Sequence, residues 1–125
     1  QWANLTPNSP QGNTYGNCAV AVMFGTYGGY PYAQIMDYGS GAGCNTIKAT
    51  ITYFPAGGGN AKTVTIGLVS GPTDYSWKQA LAPETGTVFS AEFLQESDNG
   101  CWYSASFSST GFRFTHSWAS GCAQT

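Results

Sequence analysis

Charge is what this chain has least of. Lysine, arginine, aspartate and glutamate make up 8% of its 125 residues, where a globular domain carries about 25%. The only cations are Lys48, Lys62, Lys78 and Arg113, and the net charge is -2. Nothing in this set forms a basic stripe for phosphates or anionic headgroups, which argues against nucleic acid and membrane-surface partners. Long apolar runs are missing too, so membrane insertion is not expected.

Histidine is nearly absent. With His116 alone, neither a zinc site built with the widely spaced cysteines nor a nucleophilic triad has its usual material, and no G-x-S-x-G is present. His116 is expected to point inward beside Tyr103. The carboxylates Asp37, Asp74, Glu84, Glu92, Glu96 and Asp98 fall at turns or scattered strand positions, whereas two-carboxylate glycoside hydrolysis needs acids flanking a cleft. Asp98-Asn99-Gly100 reads as a tight turn before it reads as a calcium loop. The expectation is a protein that is not an enzyme, with no metal and no cofactor.

Four cysteines, Cys18, Cys44, Cys101 and Cys122, without C-x-x-C spacing argue for two disulfides in an oxidising compartment. The chain begins at Gln1 without a charged leader, which is read as a signal peptide already removed. Asn4-Leu5-Thr6 is a glycosylation sequon. The expected location is therefore secreted or extracellular, as a glycoprotein.

Aromatic residues are plentiful at 15%, among Gly, Ser, Thr and Asn. Residues 1-16 carry two prolines and no periodicity, so they read as an N-terminal arm or edge segment. Residues 17-125 read as a single domain. Its apolar pattern is short and β-like, with Gly and Pro punctuation every 8 to 12 residues or so, the spacing of a sandwich or barrel. Strands are expected at 17-25, 31-38, 46-54, 61-69, 75-81, 87-95, 101-107 and 112-118. Hairpins turn at Tyr27-Gly28-Gly29-Tyr30, Pro55-Ala56-Gly57-Gly58-Gly59-Asn60 and Ser108-Ser109-Thr110-Gly111.

The cysteines lie at the open ends of the first and third hairpins. Pairing Cys18 with Cys44 and Cys101 with Cys122 is favoured, each bond closing a loop of about 20 to 25 residues and contributing roughly 3 kcal/mol. The crossed pairings stay open. A bridge from Cys18 to Cys101 would join two sheets, as in antibody domains.

The segment from Trp77 to Phe89, with Leu81, Pro83, Gly86, Thr87 and Phe89 in the relevant places, resembles the corner of fibronectin type III and related immunoglobulin-like domains. The resemblance implies an antiparallel β-sandwich of about 7 to 9 strands and no activity. It departs from the family at Phe89, which stands where a tyrosine usually makes the corner hydrogen bond.

Alternation along strands then assigns faces. Pairing Phe107 with Phe112 aligns Ala105 with Phe114, Tyr103 with His116 and Cys101 with Trp118 on a core face, joined by Phe89, Ala91 and Phe93. The opposite face holds Trp102, Ser104, Glu92, Arg113 and Thr115, an aromatic plate with polar neighbours. Tyr27, Tyr30 and Tyr32 form a second aromatic group around the first turn. Trp118 and Trp77 are assigned to packing, and Trp2 to anchoring the arm. Thr50 and Thr52 facing Thr65 and Thr63 are read as ordinary cross-strand decoration.

Sugars present an apolar C-H face and a rim of hydroxyls, and an exposed aromatic ring with hydrogen-bonding neighbours matches both. The expected function is extracellular binding of a polysaccharide or glycan through the face centred on Trp102. Two other readings accompany it. One is a structural subunit of a filament or surface layer, self-assembled through the arm; the other is an inhibitor or toxin-like protein acting through the Tyr27 to Tyr32 loop.

Overall fold

The computed structural model describes residues 5-15, 18-37, 44-68, 76-97, 100-108 and 111-116, and among these there is no helix. Nine strands follow one another: β1 (Gln11–Tyr15), β2 (Cys18–Tyr27), β3 (Tyr30–Asp37), β4 (Cys44–Pro55), β5 (Lys62–Leu68), β6 (Ser76–Leu81), β7 (Gly86–Ser97), β8 (Trp102–Ser108) and β9 (Gly111–His116). They form two antiparallel sheets, ordered β1-β2-β3-β6 and β5-β4-β7-β8-β9. Part of the N-terminal segment is thus an edge strand, and Leu5 before it is buried in the core.

Both sheets contribute alternate residues to one sandwich-like core. From the first come Val20, Val22, Phe24, Ala33 and Ile35; from the second come Ile47, Ala49, Ile51, Ala91, Phe93 and Ala105. Phe24 bridges the layers, its ring centroid 6.1 Å from that of Phe93 and 5.1 Å from that of Phe107. Burying one such ring contributes about 1.5 to 3 kcal/mol, so the aromatic contact between sheets is a main tie of the fold.

The first turn has the shape its glycines permit. Gly28 and Gly29 both have positive φ, 58° and 87°, between the paired Tyr27 and Tyr30, which is the conformation of a two-residue hairpin turn matched to strand twist.

Cys18 is bonded to Cys44, with Cα atoms 4.6 Å apart. The pairing is the favoured one, but its mechanical role is different. Cys18 opens β2 in one sheet and Cys44 opens β4 in the other, so the bond staples the layers instead of closing a hairpin. Beside it, buried Gln95 on β7 donates from Nε2 to the Cys18 carbonyl at 2.8 Å, a second tie between the sheets. Cys101 is buried and is not a free thiol; Cys122, its expected partner, lies outside the described residues.

One core assignment is corrected. Phe89 is 40% exposed. The register of β4 on β7 passes from Thr52 opposite Ser90 to Tyr53 opposite Val88, leaving Phe89 as the extra residue of a bulge. A bulge puts two residues against one and shifts the alternation. Val88 therefore packs against the core with Ala91 and Phe93, while Phe89 turns outward and meets exposed Phe54 edge to face, with ring centroids 5.2 Å apart.

Candidate functional site

The five-stranded sheet carries the residues expected to bind. Phe107 pairs with Phe112, Ala105 with Phe114 and Tyr103 with His116, which is the register read from the sequence. Tyr103 and Ala105 are buried, Ser104 and Ser106 are half-buried, and Trp102 is 40% exposed. Glu92 is exposed and lies opposite Ser106, which also pairs with Arg113. Ser104 lies between Leu94 and Thr115. The side chains of Arg113, Thr115 and His116, together with Asn4, Trp2 and Trp118, lie outside the described residues.

The structure divides this patch. Trp102 pairs with Glu96, four residues along β7 from Glu92, a separation of about 13 Å at the rise of a strand. Glu92 belongs instead to a transverse row running from Thr65 through Thr50 to Ser106 and Arg113, in which the Thr50 and Thr65 hydroxyls are 3.3 Å apart. The neighbours of Trp102 are Ser104 on its own strand and Glu96, whose Oε1 accepts from Thr46 Oγ1 at 3.3 Å. Among the described residues this face is rich in hydroxyls, with Trp102 at its end.

The outer face of the four-stranded sheet has a different character. Opposite residues share a face, so Ala21 and Met36, and Met23 and Gln34, lie half-buried on the outer side of this sheet, and Gly25 and Tyr32 fall on the same side but are buried, Tyr32 at 7% exposure. On β6 the row continues with Gln79 opposite Gln34 and Leu81 opposite Tyr32. Along this surface lies a groove of about 420 Å³ lined by Pro10, Ala21, Met23, Gln34, Met36 and Gln79. A smaller one of about 190 Å³ shares Met23, Gln34 and Gln79 with it and adds Tyr27 and Tyr32. Among the described residues neither is lined by a charged side chain. The nearby Lys78 is turned away, its Nζ donating to the Gly67 carbonyl at the edge of the other sheet, 3.1 Å away.

Tyr32 is fixed from behind. Asn8 donates its backbone N-H to the Phe24 carbonyl at 2.7 Å, which seats its side chain over Gly25. A Cβ on Gly25 would collide with that side chain. The Asn8 Oδ1 then accepts from the Tyr32 hydroxyl at 3.3 Å. Burial raises the Tyr32 pKa above the usual phenol value, so the ring presents a neutral wall to the groove. Tyr27, by contrast, is 78% exposed at the hairpin tip, and Tyr30 is its less exposed cross-strand partner.

Sequence reasoning singled out the tyrosines and missed Met23, Met36, Gln34 and Gln79. Alternation along CAVAVMF and YAQIMDY already puts the two methionines on one face with Ala21 and Gln34. What it does not contain is the pairing of β3 with β6, more than forty residues away in the chain, which brings Gln79 to Gln34.

Among the described residues no cluster of histidine, cysteine and carboxylate side chains has the makings of a metal site, and no helix is long and apolar enough to cross a membrane. No family model, curated protein or solved structure matches the chain. Geometry and chemistry therefore carry the functional reading.

Proposed function

We propose that the chain is an extracellular carbohydrate-binding module whose ligand lies on the outer face of the four-stranded sheet. The observation that carries this reading is the pair of adjoining grooves, lined by no charged side chain among the described residues, where Tyr27, Tyr32, Gln34 and Gln79 converge. Rings cover the C-H face of a pyranose, and amides donate to and accept from its hydroxyls. The larger groove, about 420 Å³, falls within the size range of small-ligand sites, and the tyrosines line the smaller one of about 190 Å³ that shares Met23, Gln34 and Gln79 with it. Trp102 and its hydroxyl-rich surroundings are a secondary contact surface on the opposite face.

The immunoglobulin-like reading of the sandwich accompanies this proposal. Strand order supports it: β2, β3 and β6 take the places of strands A, B and E, and β4, β5, β7 and β8 those of C, C′, F and G, with β1 and β9 added at the edges. The connection from Leu81 to Gly86 then falls at the corner between strands E and F. A secreted location, the second disulfide from Cys101 to Cys122 and glycosylation at Asn4 belong to the same proposal; the Cys18–Cys44 bond is consistent with an oxidising compartment.

Depletion of the pure protein by insoluble cellulose, chitin, starch and cell-wall material tests the function. Selective depletion of a monomer, competed by soluble oligosaccharide and lost in Tyr27→Ala, is the expected result. Absence of depletion, with large particles in light scattering, would replace it with the filament-subunit reading.

A further inference from the structure

The groove is not uniform along its length, and the difference bears on which sugar it fits. At one end Pro10, Ala21 and Met36 offer methylene, methyl and thioether surface. The middle is crossed by one row on three neighbouring strands, Met23, Gln34 and Gln79. The other end is the smaller groove, walled by exposed Tyr27 and by Tyr32, which is 7% exposed. Successive rows of outward residues are spaced about 7 Å along the strands, and neighbouring strands about 5 Å. Apolar row, amide row and the Tyr32 row thus follow one another over about 14 Å, so that an extended oligosaccharide reaches all three.

Resting on the carbohydrate reading of this same site, we infer that the groove selects neutral sugars bearing an acetamido group, as in polymers of N-acetylhexosamine. A plain hexose would leave the apolar end in contact with hydroxyls that lose their water and gain no partner there. An acetamido substituent fits both parts at once. Its methyl fills the surface between Met23 and Met36, and its N-H and carbonyl meet the oxygen and NH₂ of the glutamine side chains. The aromatic wall then takes the face of the ring that carries the substituent or of the adjoining one.

Charge argues for the same class. Among the described residues no cation lines the groove, so uronic acids and sulfated sugars find no counter-ion among them. No described carboxylate lines it either, which offers the deacetylated, cationic amino sugar no partner there. The protein's two methionines, Met23 and Met36, both lie in this one groove, and the polarizable thioether adapts to small apolar groups.

Titration calorimetry with three trimers of related backbone tests the inference: N-acetylglucosamine, glucosamine and glucose, all β-1,4-linked. The acetylated trimer is expected to bind at least about tenfold more tightly than the glucose trimer, a difference of about 1.4 kcal/mol. The glucosamine trimer is expected to bind no better than glucose. Gln34→Ala and Gln79→Ala, each first shown to melt like the parent, should bring the acetylated trimer close to the glucose trimer. Equal affinity for the acetylated and glucose trimers, or a preference untouched by both glutamine variants, overturns acetamido selection while leaving carbohydrate binding intact. Failure of all three trimers, together with absence of depletion by any insoluble polysaccharide, overturns the carbohydrate reading itself.

Discussion

The Tyr53 hydroxyl donates to Glu84 Oε2 at 2.9 Å, and the same oxygen accepts from Lys62 Nζ at 2.9 Å. Tyr53 lies on β4, Lys62 opens β5, and Glu84 sits in the connection between β6 and β7. The connection is pinned further by the Ala82 N-H to the Pro31 carbonyl and the Gly86 N-H to the Gly29 carbonyl. The hydroxyl that pins this connection is thus Tyr53's, from β4, and the exposed Phe89 on β7 has none to offer. Removing it with Tyr53→Phe should lower the melting temperature by a few degrees. The fall should be smaller in a Glu84→Gln background, because groups sharing one network are not additive; equal falls in the two backgrounds would show that no such network acts.

The same triad sets a pH dependence. Lys62 and then Tyr53, through their hydrogen bonds to Glu84, lower its pKa. A carboxylate depressed on folding contributes stability above its unfolded pKa, and that contribution is lost as pH falls through the folded value. The Lys62 pKa is raised, chiefly by its hydrogen bond to Glu84, and that of Tyr53 is raised by burial and then by Glu84. Their contributions are complete below their unfolded pKa values and disappear as pH rises through the folded ones. Melting temperatures of the parent and Glu84→Gln should differ most near neutrality and converge in acid. A gap that persists below the carboxylate range would contradict the assignment.

Stapling two sheets at one end, the Cys18–Cys44 bond should matter to both of them. Replacing both cysteines by serine is expected to cost about 3 to 4 kcal/mol of unfolding free energy, for a loop of this length in the chain-entropy model. Urea melts with a conserved slope would measure it. A loss below about 1 kcal/mol would mean that Gln95 and the aromatic contacts already hold the layers together.

Two phenylalanines on β7 separate bulge from core. Phe93→Ala removes a fully buried ring touching Phe24 and should cost about 3 to 5 kcal/mol. Phe89→Ala removes an exposed ring that meets Phe54 and should cost about 1 kcal/mol or less. Comparable losses in denaturant melts would place Phe89 back on the core face.

Gly25→Ala tests the support of Tyr32. The added methyl collides with Asn8, so the expected outcome is a lower melting temperature together with weaker sugar binding. Trp102→Ala, on the other sheet, should leave both the melting temperature and the affinity for soluble oligosaccharide nearly unchanged. Loss of soluble-sugar binding on Trp102→Ala alone would move the site to the five-stranded sheet.

How much of this was legible beforehand follows from the range of each interaction. The register of β8 on β9 was readable because only Ser109 and Thr110 separate the strands and one alignment puts Phe107, Ala105 and Tyr103 on a common side. The Gly28-Gly29 turn was readable because two positive φ angles in succession require residues without a side chain. The fate of Phe89 was not, since a bulge changes the parity of a strand without leaving a mark on its alternation. Trp102 was correctly placed on an outward face, yet its distance from Glu92 depends on register along β7, which a list of outward residues does not carry.

By itself the sequence determined the all-β class, the short hairpins, the favoured Cys18 to Cys44 pairing and the absence of a charged surface. These rest on composition and on periodicities of a few residues, where backbone geometry alone dictates the answer. Only the tertiary structure decided that this disulfide joins two sheets, that Tyr53 on β4 reaches Glu84 in the connection between β6 and β7, and that Gln34 meets Gln79 in one row with Met23. Those outcomes depend on which distant strands become neighbours, a choice made when both sheets bury their apolar faces in one core.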